Sequence, residues 1–363
     1  MTMRSRRLGD AVCEQSLVLS CCWWYNSQRH NIKKGGLRMD SKPMFNWCFV
    51  GTGVLANKVA KVILPSGRYR ITAVYTRNFQ KGLDFTDKYG GTAYDSAEAA
   101  ISAPDVDGVY IVTPHTSHYE YAKLALSLGK PVLCEKPITV TAREAAELFT
   151  LAKEKGLYLA EAMWTWFSPV ARQVKRWVDD GALGELHRVE ARYHLDSRNY
   201  APRCSDPNVA GGALLDVGIY PITYLYRLFG KPLQVQCTGR LEGGIDLSED
   251  VTMTFPNGLT GTASVSMCDF KGLEKIHLVG DKGRIKYFFF HMAKRTALLR
   301  KGGRIEIFQA DGSYLNEFDK VVEEIRSGLT QSVLVPPSAT VDVMEILDEC
   351  RRQMGLVYPF EKE

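Results

Sequence analysis

The chain has no apolar run approaching the roughly 20 residues of a membrane-spanning helix, no C-x-x-C pair, no internal repeat and no low-complexity stretch. The first absence argues against a membrane span. The second bears on the nine cysteines. Cys13, Cys21 and Cys22 lie near the start, whereas Cys48, Cys134, Cys204, Cys237, Cys268 and Cys350 are scattered singly, mostly within apolar runs. None stands at metal-ligand spacing from a histidine, so they read as reduced core thiols of a cytoplasmic protein. A basic surplus on the body of the protein is missing as well. Lys and Arg number 46 against 41 Asp and Glu, but residues 1–43 hold eight basic and three acidic residues, which leaves 38 of each sign. No nucleic-acid-binding face is needed to explain the net charge. Those first 43 residues show neither helical nor strand period, and Met39 and Met44 fall just before the first convincing strand. The pair Arg6-Arg7 is followed by too short an apolar stretch for a twin-arginine signal. A misassigned start or a disordered leader is the expectation for 1–43.

What is present is enough hydrophobic material, 45% of 363 residues, for more than one core. Residues 45–51 read as a buried strand ending in glycine, 54–64 as a helix, 70–75 as a strand and 79–89 as a helix. A strand at 108–112, a helix at 118–128, a strand at 131–134 and an extended segment at 157–160 complete the series. Thr141 and Glu144 have the T-x-x-E spacing of a capping box between the last two strands. Strands alternating with helices imply right-handed crossovers and a parallel sheet. After residue 163 the pattern changes. Helices are expected at 168–179, 212–229, 314–327 and 339–353, and strands at 186–194, 234–238, 251–255, 260–267, 275–279, 284–290 and 304–308. Pro256-Asn257-Gly258 and Asp281-Lys282-Gly283 are hairpin turns. The fold class is therefore α/β: an N-terminal Rossmann-type parallel-sheet domain over 44–163, and a C-terminal α+β domain over 164–363 with a mostly antiparallel sheet.

Gly51-Thr52-Gly53-Val54-Leu55-Ala56 is G-x-G-x-x-A placed between the first strand and the first helix. In that context Gly51 makes the tight turn, Gly53 lets a pyrophosphate approach the backbone, and Ala56 permits close helix–strand packing. The second strand ends in Thr76-Arg77-Asn78, with no carboxylate until Asp84. An NAD site usually carries an acid there for the ribose hydroxyls, whereas Arg77 can fork onto a 2′-phosphate, which favours NADP over NAD. The bland alternative is a solvated surface arginine. Thr113, Pro114, His115 and His118 follow the strand at 108–112, where carboxyl ends of parallel strands line a cofactor crevice. His115 and His118 lack a third ligand, so no metal is expected. The run Val132–Pro137, VLCEKP, puts Glu135 and Lys136 where an apolar strand stops.

These stretches together resemble the Gfo/Idh/MocA oxidoreductase family: the glycine turn, T-P-H with a second histidine, and GKPVLCEKP. The stretch GGALLDVGIYPI at 211–222 resembles the family's second signature. EAMWTWFSP at 161–169 and GLVYPFEK at 355–362 point within it to dihydrodiol dehydrogenases and NADP-linked D-xylose dehydrogenases. The similarity spans residues 45–363. It implies an open face on the second sheet that commonly serves as a homodimer contact, and a small polyol, sugar or dihydrodiol as partner. By the same resemblance Lys136 contacts substrate and the nicotinamide ribose beside Glu135, while Asp216 and Tyr220 are the acid and the acid/base. Trp164 falls in the substrate-pocket motif, followed by Trp166 and Phe167; the motif usually reads W-T-R, and Trp166 replaces its arginine.

The residues suggest a mechanism consistent with that likeness. In a helix over 212–229, Asp216 and Tyr220 are four residues apart and share a face. A neighbouring Lys136 ammonium favours the phenolate of Tyr220, which then takes the hydroxyl proton while hydride leaves the same carbon. The expected activity is NADP-dependent oxidation of a cyclic vicinal diol or an aldose. Two other readings stand beside it: another sugar or inositol dehydrogenase, and a non-catalytic sensor of NADP or sugar.

Overall fold

The computed structural model describes residues 43–196, 202–269 and 274–361. The leader expected over 1–43 lies outside them except for Pro43. The first half builds on strands β1 (Phe45–Val50), β2 (Tyr69–Tyr75), β3 (Thr92–Tyr94), β4 (Gly108–Ile111), β5 (Val132–Glu135) and β6 (Leu159–Ala162). All pairings are parallel and the spatial order is 3-2-1-4-5-6, so the order reverses between β1 and β4. Every residue of β1 except Asn46 is buried, as expected of a strand covered on both faces. The crossovers carry α1 (Val54–Ile63), α2 (Phe79–Tyr89), α3 (Ala97–Ile101), α4 (His118–Ser127) and α5 (Ala142–Lys155). Both halves of the Thr141–Glu144 capping box are formed at α5. The sequence did not reveal β3 or α3, which are too short to show a period. Nor does β5 stop at Cys134: it runs on through Glu135, whose carboxylate is buried.

The second half opens with a 3-10 turn, Trp164–Phe167, and α6 (Pro169–Asp179), then β7 (Leu186–His194). A π-helical turn, Leu214–Gly218, feeds α7 (Ile219–Phe229). It replaces the regular helix expected from residue 212, so Asp216 sits in a wider turn than a helical four-residue spacing assumes. Strands β8 (Gln234–Glu242), β9 (Ile245–Thr254), β10 (Thr260–Ser266), β11 (Lys275–Gly280), β12 (Gly283–Phe288), β13 (Arg295–Arg300) and β14 (Ile305–Gln309) follow. They join β7 in the order 14-13-12-11-7-10-9-8, with β7–β10 as the parallel pair. Both expected hairpin turns are formed. A third, unanticipated, uses Gly243 and Gly244 at φ 63° and 82°, the positive values a two-residue β8–β9 turn demands. The first half of β9 was missed because buried acids, Asp246 and Glu249, interrupt its apolar pattern.

One face of this sheet receives α7, which packs on β7 and β10. The other is open: along β12 Ile285 and Tyr287 are buried while Arg284, Lys286 and Phe288 are exposed. The last two helices, α8 (Tyr314–Arg326) and α9 (Pro337–Met354), return to the first half. Phe318 of α8 packs edge-on against Trp47 and Tyr110, each 5.2 Å away. Asp348 of α9 accepts the Ala142 N–H at 2.8 Å. Among the described residues no helix is long and apolar enough to cross a membrane.

Glu161 of β6 is a buried acid inside this framework, accepting from the Ile138 N–H at 3.1 Å and the Thr340 hydroxyl at 3.2 Å. Burial outweighs these bonds and pushes its carboxyl from 4.5 up to about 7. Between those values the folded protein keeps a proton that the unfolded chain has released, so stability falls as pH rises through the window. Glu161→Gln removes that dependence. Scanning calorimetry should find the variant's Tm higher by about 2 °C or more at pH 8 and level with wild type at pH 5; a difference that ignores pH would refute the assignment.

Candidate active site

The carboxyl ends of β1 and β4 form one wall of a crevice. Gly51 has φ 111°, and a side chain there would bring a Cβ to 2.6 Å from the Val112 carbonyl oxygen, so glycine is required. Its N–H donates to the Tyr75 carbonyl at 2.8 Å, which fixes the turn against β2. No atom lies within 4 Å of the position a Cβ on Gly53 would take. Gly53 offers α1 no side-chain cap, the first turn holds no acid, and Val54 is 70% exposed. The first N–H groups of α1 therefore have no side-chain cap, and a dinucleotide's pyrophosphate fits this cradle. Ala56 itself is buried against the sheet. Arg77 is exposed just past the end of β2. Thr113 and Pro114 are partly buried at the end of β4, and Thr113 Oγ1 accepts from the Ser117 hydroxyl at 2.9 Å.

Across the crevice, Lys136 joins β5 to the π-turn. Its Nζ donates to the Asp216 carbonyl oxygen at 2.5 Å and lies 3.5 Å from the Asp216 carboxylate. Asp216 also accepts from Arg203 at 2.9 Å and from the Cys204 thiol at 3.2 Å. Burial alone would raise its pKa, but Lys136 and Arg203 hold it well below the usual carboxylate range. His115 is buried, with Nδ1 3.4 Å from the Ala210 carbonyl oxygen. Desolvation, with Arg203 and Lys136 nearby, lowers its pKa and keeps it neutral. Lys136 Nζ stands 4.8 Å from the centre of the Tyr220 ring, and the Trp164 indole N–H donates to the Tyr220 hydroxyl at 3.3 Å. Lys136, Asp216, Tyr220, His115 and Trp164 are thus brought together.

The expected phenolate is not what the electrostatics give. Burial, and after it the Glu135 carboxylate, pushes Tyr220 well above its ordinary value, opposed by the Trp164 hydrogen bond. The Lys136 charge is committed to Asp216, so Tyr220 rests as a neutral phenol. Three further expectations change. His118 has both ring nitrogens 2.8 Å from carbonyl oxygens, of Pro137 and Thr113, and burial lowers its pKa to about 4. It clasps the ends of β4 and β5 and presents no nitrogen to a cofactor. Glu135 accepts from the Tyr110 hydroxyl at 2.6 Å and from the Lys136 N–H at 3.3 Å, which makes it a buried brace. Trp166 and Phe167 belong to the core: the Arg227 guanidinium lies 4.2 Å over the Trp166 ring, with Tyr224 behind it.

The structure adds residues that sequence reasoning missed. Arg203 comes from a loop with no period and no motif. Tyr193 and His291 flank the Tyr220 ring at 5.8 and 6.2 Å, and Tyr314 lies 4.8 Å from Trp164. Tyr193 could have been noticed as an aromatic within a period-2 strand. His291 had no such signal.

Comparison with known proteins agrees with this architecture. Residues 45–163 match the model described as an oxidoreductase family with an NAD-binding Rossmann fold, Gfo/Idh/MocA, and residues 171–286 match the Gfo/Idh/MocA C-terminal domain. Trans-1,2-dihydrobenzene-1,2-diol dehydrogenase of Mus musculus is 32% identical over 332 residues, covering 87% of this chain and 98% of the relative. The NADP(+) D-xylose 1-dehydrogenase of Hypocrea jecorina is 28% identical, covering 86% and 93%. In fold, the chain is similar to a 3-ketoreductase from Actinomadura kijaniata in complex with NADP and TDP-benzene, at TM-score 0.78 and 23% identity, covering 86% and 98%.

A buried ion pair is costly to break from one side. Lys136→Met should lower stability by about 3 kcal/mol, because Asp216 loses one of the two cations that pair with its buried carboxylate. Adding Asp216→Asn should recover part of that loss in thermal denaturation; strict additivity of the two changes would show that the pair is not coupled.

Proposed function

The chain belongs to the Gfo/Idh/MocA oxidoreductase family, and from that premise we propose that it is an NADP-dependent dehydrogenase acting on a carbinol carbon of a cyclic vicinal diol or an aldose. The observation that carries the proposal is the meeting of Lys136, Asp216 and Tyr220 opposite the uncapped glycine turn. Gly51, Thr52, Gly53, Val54, Leu55 and Ala56 hold the pyrophosphate, Arg77 the 2′-phosphate, and Thr113, Pro114 and His115 line the nicotinamide side. The nicotinamide, when bound, supplies the hydride acceptor or donor at its C4 carbon. Tyr220 moves the proton: as a phenol it donates to a carbonyl oxygen being reduced, and as a phenolate it takes the proton of an alcohol being oxidised. Lys136 stabilises that phenolate, and Asp216 keeps Lys136 in place. The diol or aldose rests on the names of the relatives from mouse and Hypocrea jecorina. The open face of the second sheet, with Ile305 and Ile307 exposed on β14, supports a homodimer contact. The six cysteines among the described residues are free thiols, in keeping with a cytoplasmic setting.

A screen with NADP and NAD against trans-dihydrodiols, D-xylose, D-glucose and inositols, following the reduced nicotinamide, tests the activity. Tight NADP binding without any turnover would favour a sensor. Arg77→Ala should raise KM for NADP by about tenfold or more and leave that for NAD nearly unchanged, through loss of a charged phosphate contact; equal effects would remove the 2′-phosphate role. Since Tyr220 rests protonated, kcat/KM for oxidation should rise about tenfold per pH unit between about pH 7 and 9, and Tyr220→Phe should cut kcat by about 100-fold or more. A flat profile in the wild-type protein would assign the proton to another group.

A further inference from the structure

Beside Tyr220 the structure holds a second pair of polar side chains that the mechanism above does not use. Glu274 immediately precedes β11 and is 3% exposed. Its carboxylate accepts the main-chain N–H of His291 at 2.5 Å and also pairs with Nδ1 of the same histidine. The Glu274 carbonyl accepts the Phe289 N–H at 2.9 Å, and the Met292 N–H donates to the Phe289 carbonyl at 3.0 Å. The turn after β12 is thus tied down on both sides. It also carries strain, because Phe289 sits at φ 53°, a left-handed conformation that a bulky side chain rarely adopts. Strain of this kind persists where the surrounding contacts over-determine it, and here they fix one ring.

That ring stacks on Tyr193 at 5.3 Å and 21°, meets Trp164 edge-on at 5.7 Å, and lies 6.2 Å from the ring of Tyr220. It therefore belongs to the same wall as the Tyr220 hydroxyl and the Trp164 indole. The buried carboxylate holds Nδ1, so Nε2 is the nitrogen left for a ligand. No described residue bonds to Nε2, and the side chain keeps 17% of its surface accessible.

We propose that His291, oriented by Glu274, is a specificity-determining residue that hydrogen-bonds through Nε2 to a second hydroxyl of the substrate while Tyr220 serves the hydroxyl being oxidised. The pocket then selects vicinal diols and sugars over mono-alcohols, since a mono-alcohol leaves Nε2 unpaired inside an aromatic enclosure of Trp164, Tyr193 and Tyr314. This rests on the reading of the same site as a dehydrogenase of carbinol carbons.

The test measures binding, so that it does not depend on turnover. Tryptophan fluorescence of the NADP-saturated protein is titrated with trans-cyclohexane-1,2-diol and with cyclohexanol. Wild type should bind the diol about tenfold tighter, and His291→Phe, which keeps the stack on Tyr193, should abolish that preference by weakening the diol alone. Glu274→Gln should narrow the preference in the same direction, and carries the test if His291→Phe melts far below wild type. A preference unchanged in the folded variants, an equal loss for both alcohols, or wild type lacking the preference, each overturns the inference. Diol preference without oxidation of any alcohol would leave it standing and remove the dehydrogenase reading instead.

Discussion

Lys136 places an ammonium group, 8% exposed, against a carbonyl and a carboxylate that lie 80 residues further along the chain. A charge that deep is tolerated only with a close partner and satisfied protons. Asp216 supplies both, and the rest of the site is arranged around that requirement. Arg203 and the Cys204 thiol complete the carboxylate's hydrogen bonds, so it stays ionised. Tyr220, in the first turn of the helix that follows, is carried under the same ammonium. The contact links the end of the parallel sheet to the π-turn beneath the antiparallel one. One interaction therefore serves both packing and chemistry.

The two strand ends that carry the site must also hold their register with each other. His118 does this by facing carbonyl oxygens from Thr113 and Pro137 at once. Burial keeps the ring neutral, so only one of its nitrogens carries a proton to donate; parting the β4 loop with His115 from the β5 loop with Lys136 breaks this bridge, at a cost on the order of 1–3 kcal/mol where a buried polar group is left unpaired. Behind them Glu135, Glu161 and Glu317 are fully buried acids whose pKa values burial pushes upward.

How much of this was legible beforehand follows from the range of each interaction. The glycine turn, the capping box and the alternation of strand and helix are local, and a window of ten residues contains their causes. A parallel sheet follows from that alternation with right-handed crossovers. The π-turn does not, because one extra residue in a helical turn leaves no periodic trace. Trp166 read as a pocket residue because it stands where the resembling W-T-R motif has arginine, yet Arg227 on another helix draws it into the core. The direction of the Tyr220 shift was misjudged for the same reason. Lys136 was visible, but the burial of Glu135 and the commitment of Lys136 to Asp216 are tertiary facts.

Two polar pairs now face one pocket, and they share a construction. In each, a deeply buried charged member, Lys136 or Glu274, holds a partner that reaches the cavity edge, and the backbone that presents the partner departs from regular geometry: a π-turn at Asp216, a left-handed Phe289 before His291. Regular helices and strands repeat their side-chain directions every 3.6 or 2 residues, so they cannot by themselves aim single groups at one small volume. A local irregularity can, provided that buried bonds outweigh its strain. These two departures lie where side chains converge on Tyr220, which argues that they maintain the pocket's shape and not the stability of either sheet.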